Sequence, residues 1–182
     1  MDDGGRELDM VVNLSRVLSG DWDYVRRDLG AVIDLAHQRG GRVKVIFENC
    51  FLKDDQKIRL CGICGEVRAD FVKTSTGYGT GGATLEDLRL MRKHAPPHVQ
   101  VKAAGGVRTL DALLAVMALG VTRIGATATA TIIDDFRARK AGAVPTPVAG
   151  SEKTLIEAFQ EAESAAVATA PPPRAGAPAS RS

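Results

Sequence analysis

Aromatic side chains are scarce in this chain, at 4% of 182 residues, and there is one tryptophan. The 24 basic residues are nearly balanced by 22 acidic ones, and neither kind gathers into a stripe. A surface without stacking platforms or a basic footprint excludes nucleic acid as the expected partner. Long apolar runs are also missing, since none approaches the roughly 20 residues needed to cross a bilayer. The amino terminus, Met1-Asp-Asp-Gly-Gly-Arg-Glu, is acidic and polar where an export signal needs a basic start and an apolar stretch. A cytoplasmic protein with no membrane partner is expected.

Cysteine is nearly absent too. Cys50, Cys61 and Cys64 are an odd set, which excludes a disulfide framework in a chain without an export signal. Cys61 and Cys64 form a C-x-x-C, but it lies inside a helical pattern and has no second pair or nearby histidine to complete a metal site. They read as small packing residues. His37, His94 and His98 match no ligand spacing.

What is present is a 45% hydrophobic sequence, enough for a real core, arranged as short β-rich runs alternating with helical periods. That is the pattern of βα units and a parallel sheet. Five units are expected. Strand 8–13 precedes a helix capped by Asp21, with Trp22, Val25, Leu29, Val32, Ile33 and Ala36 on one face and Gly40-Gly41 as its stop. Strand 43–47 precedes a helix opening at Asp54 or Asp55, with Ile58, Cys61 and Cys64 along its inner stripe. A third strand ends at Lys73, and Thr84 then caps a helix that buries Leu85, Leu88 and Met91 and is ended by Pro96-Pro97. Strand 99–102 leads to a helix capped by Thr109 and carrying Leu110, Leu113, Leu114 and Met117, closed by Gly120. Strand 122–126 leads to helix 129–139. Residues 1–142 form the folded domain. Residues 143–182 read as an extension with an amphipathic helix over 151–167 and a disordered end rich in proline and alanine.

Two lysines punctuate this pattern. Lys73 closes Ala-Asp-Phe-Val-Lys and Lys102 closes Val-Gln-Val-Lys, and each leads into a loop of glycine and hydroxyl residues. The carboxyl ends of parallel strands are where α/β barrels build active sites. Two ammonium groups on neighbouring strands cannot both stay charged at low cost, and the neutral amine that results attacks carbonyls. Taken singly, Lys73 reads as a strand-end lysine reaching solvent rather than a nucleophile, Asp9 as a cap or ion-pair partner, and Arg108 equally as a surface arginine. Glu48, at the end of the second strand, is a candidate for lining the same pocket and is assigned no role.

The ordered set Asp-Met-Val-Val-Asn, Lys-Val-Ile-Phe-Glu-Asn, Asp-Phe-Val-Lys-Thr-Ser-Thr-Gly-Tyr, Val-Lys-Ala-Ala-Gly-Gly-Val-Arg-Thr and Arg-Ile-Gly-Ala-Thr resembles the deoxyribose-phosphate aldolases, class I aldolases with a TIM-barrel fold. The resemblance runs from Glu7 to Phe136. It implies reversible cleavage of 2-deoxyribose 5-phosphate to acetaldehyde and glyceraldehyde 3-phosphate, in deoxyribose catabolism. It implies Lys73 as the Schiff-base lysine, Lys102 as the cation that lowers its pKa, and Asp9 as the proton-passing carboxylate. The phosphate would lie among Gly77, Gly105, Gly106, Val107, Arg108, Gly125, Thr127 and Ala128. Family members often carry serine at the last two positions, and Ala128 removes a hydroxyl, which shifts the phosphate grip toward backbone amides. No cofactor or metal is implied, because the covalent imine carries the chemistry. A small phosphorylated sugar is the implied partner, and a homodimer is compatible with it.

A full TIM barrel has eight βα units in about 250 residues, so with five units the first three strands of the family's fold are expected to be missing. The expected (β/α)8 family fold is therefore incomplete. Such a piece would expose two sheet edges and an apolar barrel interior. An inactive fragment, or a module that only binds sugar phosphate, is the alternative reading.

Overall fold

Apolar residues alternate with charged ones along the strands, and this period of two decides which side of the sheet meets the helices. A computed structural model describes residues 3–142; the expected helix 151–167 and the proline-rich end lie outside the described residues. The element order is β1 (Glu7–Val11), α1 (Leu14–Leu18), α2 (Trp22–Gln38), β2 (Arg42–Ile46), a 3-10 turn (Asn49–Phe51), α3 (Asp54–Glu66), β3 (Phe71–Lys73), α4 (Leu85–His94), β4 (Gln100–Ala104), α5 (Leu110–Ala118), β5 (Arg123–Gly125) and α6 (Thr129–Lys140). The five strands form one parallel sheet in the order β1-β2-β3-β4-β5. This is the expected α/β arrangement, an incomplete barrel.

One face of the sheet carries Val43, Val45, Val72, Val101 and Ala103, all fully buried. It packs on a core with Val25, Leu29 and Ile33 of α2, Leu60 and Cys64 of α3, and Leu88 and Met91 of α4. Cys61 and Cys64 are both buried packing residues, as the sequence predicts. Burial pushes the Cys61 thiol up to about 12, far from the thiolate that redox or metal chemistry requires.

The other face departs from expectation. Strand register aligns Asp9 with Lys44 and Phe71, and Val11 with Ile46, Lys73, Lys102 and Arg123. The inner face is thus charged, with Glu7, Asp9, Lys44, Lys73, Lys102 and Arg123 in place of an apolar interior. The reason lies in pairing: Arg123 on β5 ion-pairs with Glu7 on β1, the opposite edge strand. The guanidinium of Arg123 also lies over the Phe71 ring, 4.8 Å from its centre. Such a contact between strands four places apart requires the sheet to roll into an arc.

Other departures are local. Asn13, expected in the first strand, caps the unforeseen α1, its side chain accepting a hydrogen bond from the Arg16 amide at 3.2 Å. On α3 the buried stripe includes Lys57 and Leu60, while Ile58 is only half-buried; Lys57 is accommodated by Asp54 at 3.1 Å and Asp87 at 2.6 Å. On α5 the buried residues are Leu110, Ala112 and Val116, whereas Leu114 and Met117 are 48% and 51% exposed. The helix is apolar nearly all round, so its period does not choose a face. The caps Asp21, Thr84 and Thr109 each accept from the amide three residues on, as expected.

Candidate active site

Parallel strands bring their carboxyl ends to one rim, and Lys73, the last residue of β3, stands in register beside Lys102, the middle residue of β4, which continues past the expected strand end to Ala104. Both reach the same carboxylate. Lys73 Nζ donates to Asp9 Oδ2 at 2.6 Å, and Lys102 Nζ stands 3.7 Å from that oxygen. Asp9 Oδ1 accepts from Lys44 Nζ at 2.8 Å. Lys44, 5% exposed, lies 3.0 Å from Glu7 Oε2, and Glu7 joins it to Arg123. A line of alternating charges therefore runs from the rim to the bottom of the inner face.

This arrangement sets the acid–base character of the groups. Burial works to raise the Asp9 carboxyl, but hydrogen bonds from Lys44 and Lys73 and the charge of Lys102 prevail and hold it at about 2. Asp9 is a carboxylate throughout the neutral range. The Lys102 amine is pulled below the usual lysine value, first by burial and then by the nearby charges of Lys73, Lys44 and Arg123, against the opposing pull of Asp9. Lys44 moves the other way, raised by its bonds to Asp9 and Glu7 despite its burial.

Around the lysines lies a cleft of about 480 Å³. Lys73, Gly77, Lys102, Gly105, Gly106, Val107, Arg108, Gly125 and Thr127 line it, together with Thr76, Ala104 and Ala126. Asp9 does not line it but touches both lysines that do. Ala128, the cap residue of α6, does not line it. Two loops frame the opening, and they touch: a Cβ on Gly82 would sit 2.9 Å from the Gly105 carbonyl carbon. Among the described residues, the amides of Gly77, Gly105, Gly106 and Val107 have no hydrogen-bond partner. Unpaired amides beside an arginine make a cradle for an anion. Thr74, fully buried, ties β3 to β4 by donating to the Ala104 carbonyl at 3.2 Å and accepting from its amide at 3.0 Å.

Sequence reasoning missed Lys44, Glu7 and Arg123, and it gave no role to Glu48, which does not line the cleft. Lys44 had a signal, being a charge two residues before the end of an apolar strand, in phase with the rim. Glu7 and Arg123 had none, since their meeting depends on the curvature of the sheet. Among the described residues no group of histidine, cysteine or acidic side chains is placed to hold a metal, and no helix is long and apolar enough to cross a membrane.

The family model described as DeoC/LacD family aldolase matches residues 1–144. The deoxyribose-phosphate aldolase of Rhodopirellula baltica is 61% identical over 137 residues, which are 75% of this chain and 57% of that protein. That of Thermococcus gammatolerans is 50% identical over 137 residues, 75% of this chain and 61% of that protein. The chain thus spans about three-fifths of the length of these relatives. Among solved structures, the aldolase QR15 superposes with a TM-score of 0.71 at 36% identity, over 77% of this chain and 62% of its own. The Aeropyrum pernix deoxyribose phosphate aldolase, described as having a unique tetrameric structure, gives 0.68 at 29% identity, over 76% and 58%.

Proposed function

We propose, given that this chain belongs to the DeoC/LacD family of aldolases, that it performs the chemistry of a deoxyribose-phosphate aldolase through a Schiff base on Lys73. The substrate is open-chain 2-deoxyribose 5-phosphate. Lys73 Nζ adds to its C1 aldehyde, and loss of water from the carbinolamine leaves an iminium. Deprotonation of the C3 hydroxyl then breaks the C2–C3 bond, whose electron pair flows into the iminium to give an enamine. Glyceraldehyde 3-phosphate departs, C2 takes up a proton, and water releases acetaldehyde.

Each step moves a proton, and the proposed division of labour follows the environments of the groups. Asp9, held at about 2, serves as the fixed anion that orients both lysines. Lys102, its amine lowered by burial, is the group that gives and takes protons near neutral pH. In this reading the phosphate binds the Gly105, Gly106 and Val107 amides and Arg108, which line the same cleft as Lys73 and Lys102.

The observation that carries this reading is the sharing of one Asp9 oxygen by Lys73 and Lys102, at 2.6 and 3.7 Å, beside a cleft with unpaired amides. Incubation of the full chain with 2-deoxyribose 5-phosphate, with acetaldehyde followed by a coupled reductase, tests it. Release of acetaldehyde that falls to background in Lys73→Leu is expected. A folded chain that releases none overturns the assignment.

A further inference from the structure

Glu48 is a buried acid that the chemistry above does not use. It follows β2 directly, is 4% exposed, and holds a left-handed backbone conformation, with φ 54° and ψ 61°. Glutamate is not the residue that this conformation favours. Its hydrogen bonds all go to one place: the Thr76 amide donates to both carboxylate oxygens at 3.2 Å, and the Thr76 hydroxyl donates to Oε2. The same hydroxyl oxygen accepts from the Tyr78 amide at 3.0 Å. No cation among the described residues ion-pairs with Glu48.

The loop is shaped to allow this clamp. A Cβ on Gly79 would stand 3.0 Å from Glu48 Oε1 and 3.0 Å from Cys50 Sγ, so a side chain there would press both away from their present positions. Gly77 takes φ +97°, which a larger residue disfavours. Thr76 and Gly77 line the same cleft as the Gly105–Gly106 turn.

We propose that Glu48 is a positioning residue that sets selectivity for phosphorylated substrates, by fixing the Thr76–Gly79 loop so that the Gly77 amide completes the anion cradle. A glycine-rich loop left free would have to be ordered each time an anion bound, and that cost would fall on affinity. Lys73 is insulated from the loop, because β3 pairing and the Thr74–Ala104 bonds fix the strand end. Loosening the loop therefore weakens phosphate binding more than imine formation. The inference rests on the aldolase reading for the identity of the sugar, while its test does not depend on turnover.

Inorganic phosphate binding to the full chain by calorimetry, and acetaldehyde trapping on Lys73 by borohydride, are measured for wild type, Glu48→Ala, Glu48→Gln and Thr76→Val. The expected result is at least about a tenfold loss of phosphate affinity in Glu48→Ala, roughly 1.4 kcal/mol, against less than about a threefold loss in adduct yield. Glutamine keeps an acceptor for the Thr76 amide and restores much of the affinity. If Glu48→Ala does not fold, Thr76→Val, which removes the hydroxyl that donates to Glu48 and accepts from the Tyr78 amide, decides by the same comparison. Phosphate affinity unchanged in these variants, equal losses in both readouts, or a wild type that traps acetaldehyde without binding phosphate overturns the inference. A wild type that binds phosphate but traps nothing counts against the aldolase reading, and the variants still decide the role of Glu48.

Discussion

Asp9 accepts from lysines of two other strands and lies close to a third, so its neutral isostere is the sharpest probe of the charge arrangement. Asp9→Asn leaves Lys44, Lys73 and Lys102 facing one another without an anion between them. Loss of the Asp9 charge removes the one interaction that raises Lys102, so its amine should fall further below the usual lysine value. Aldol cleavage is expected to drop by roughly 10²- to 10⁴-fold, because Lys102, the proton-transfer group, loses the anion that holds it in place, with the alkaline side of the kcat profile displaced to lower pH. A pH–rate series on the variant checks both. The lysine pair was legible in the sequence because each lysine ends an apolar run before a glycine loop. Lys44 was passed over and Glu48 left without a role because a charge within or just after a strand, even one in phase with the rim, does not say which residues it will touch.

At the scale of elements, the reading succeeded where the cause is local. Asp21, Thr84 and Thr109 announce their helices because a cap bonds an amide three residues away. It failed where the cause is a neighbour distant in sequence. The side of α5 that is buried depends on what packs against it, and a helix apolar on every side gives no hint. The short α1 was hidden because Asn13 continues a polar–apolar alternation while its side chain starts a helix. The touching loops offer a prediction here. Gly82→Ala places a methyl group 2.9 Å from the Gly105 backbone, and backbone yields less readily than a side chain. A loss of about 1–3 kcal/mol in urea unfolding is expected, together with weaker phosphate binding as the cleft edges part. Thr80→Ala, on the exposed part of the same loop, should change neither.

For the whole molecule, the charged inner face ties stability to pH. Asp9 lies below its unfolded value of 3.8, at about 2. Glu7 lies below 4.5, chiefly through its hydrogen bond from Lys44 against an opposing effect of burial. Groups lowered by folding stabilise fully above their unfolded values, and that stabilisation is lost as pH falls through the folded ones. Lys44 is raised above 10.5, so its contribution is complete below that value and is lost as pH rises past it. The network therefore supports the fold between about pH 4.5 and 10.5. Urea unfolding across pH should show stability falling from pH 4.5 toward 2. Lys44→Met should flatten that acid slope, because Asp9 and Glu7 lose the cation they share; an unchanged slope would remove the network from the stability of the fold. The rolled sheet explains why this was not visible in the sequence: β1 and β5 are the edges of the strand order, yet their Glu7 and Arg123 meet across it.

The central claim is that Lys73 is the nucleophile of an imine pathway. Its most direct test is borohydride reduction of the folded chain in the presence of acetaldehyde, followed by peptide mass mapping. A reduced two-carbon adduct on Lys73, absent from Lys102 and Lys44 and lost in Asp9→Asn, is the predicted result. An unmodified Lys73, or an adduct spread over all three lysines alike, would contradict it.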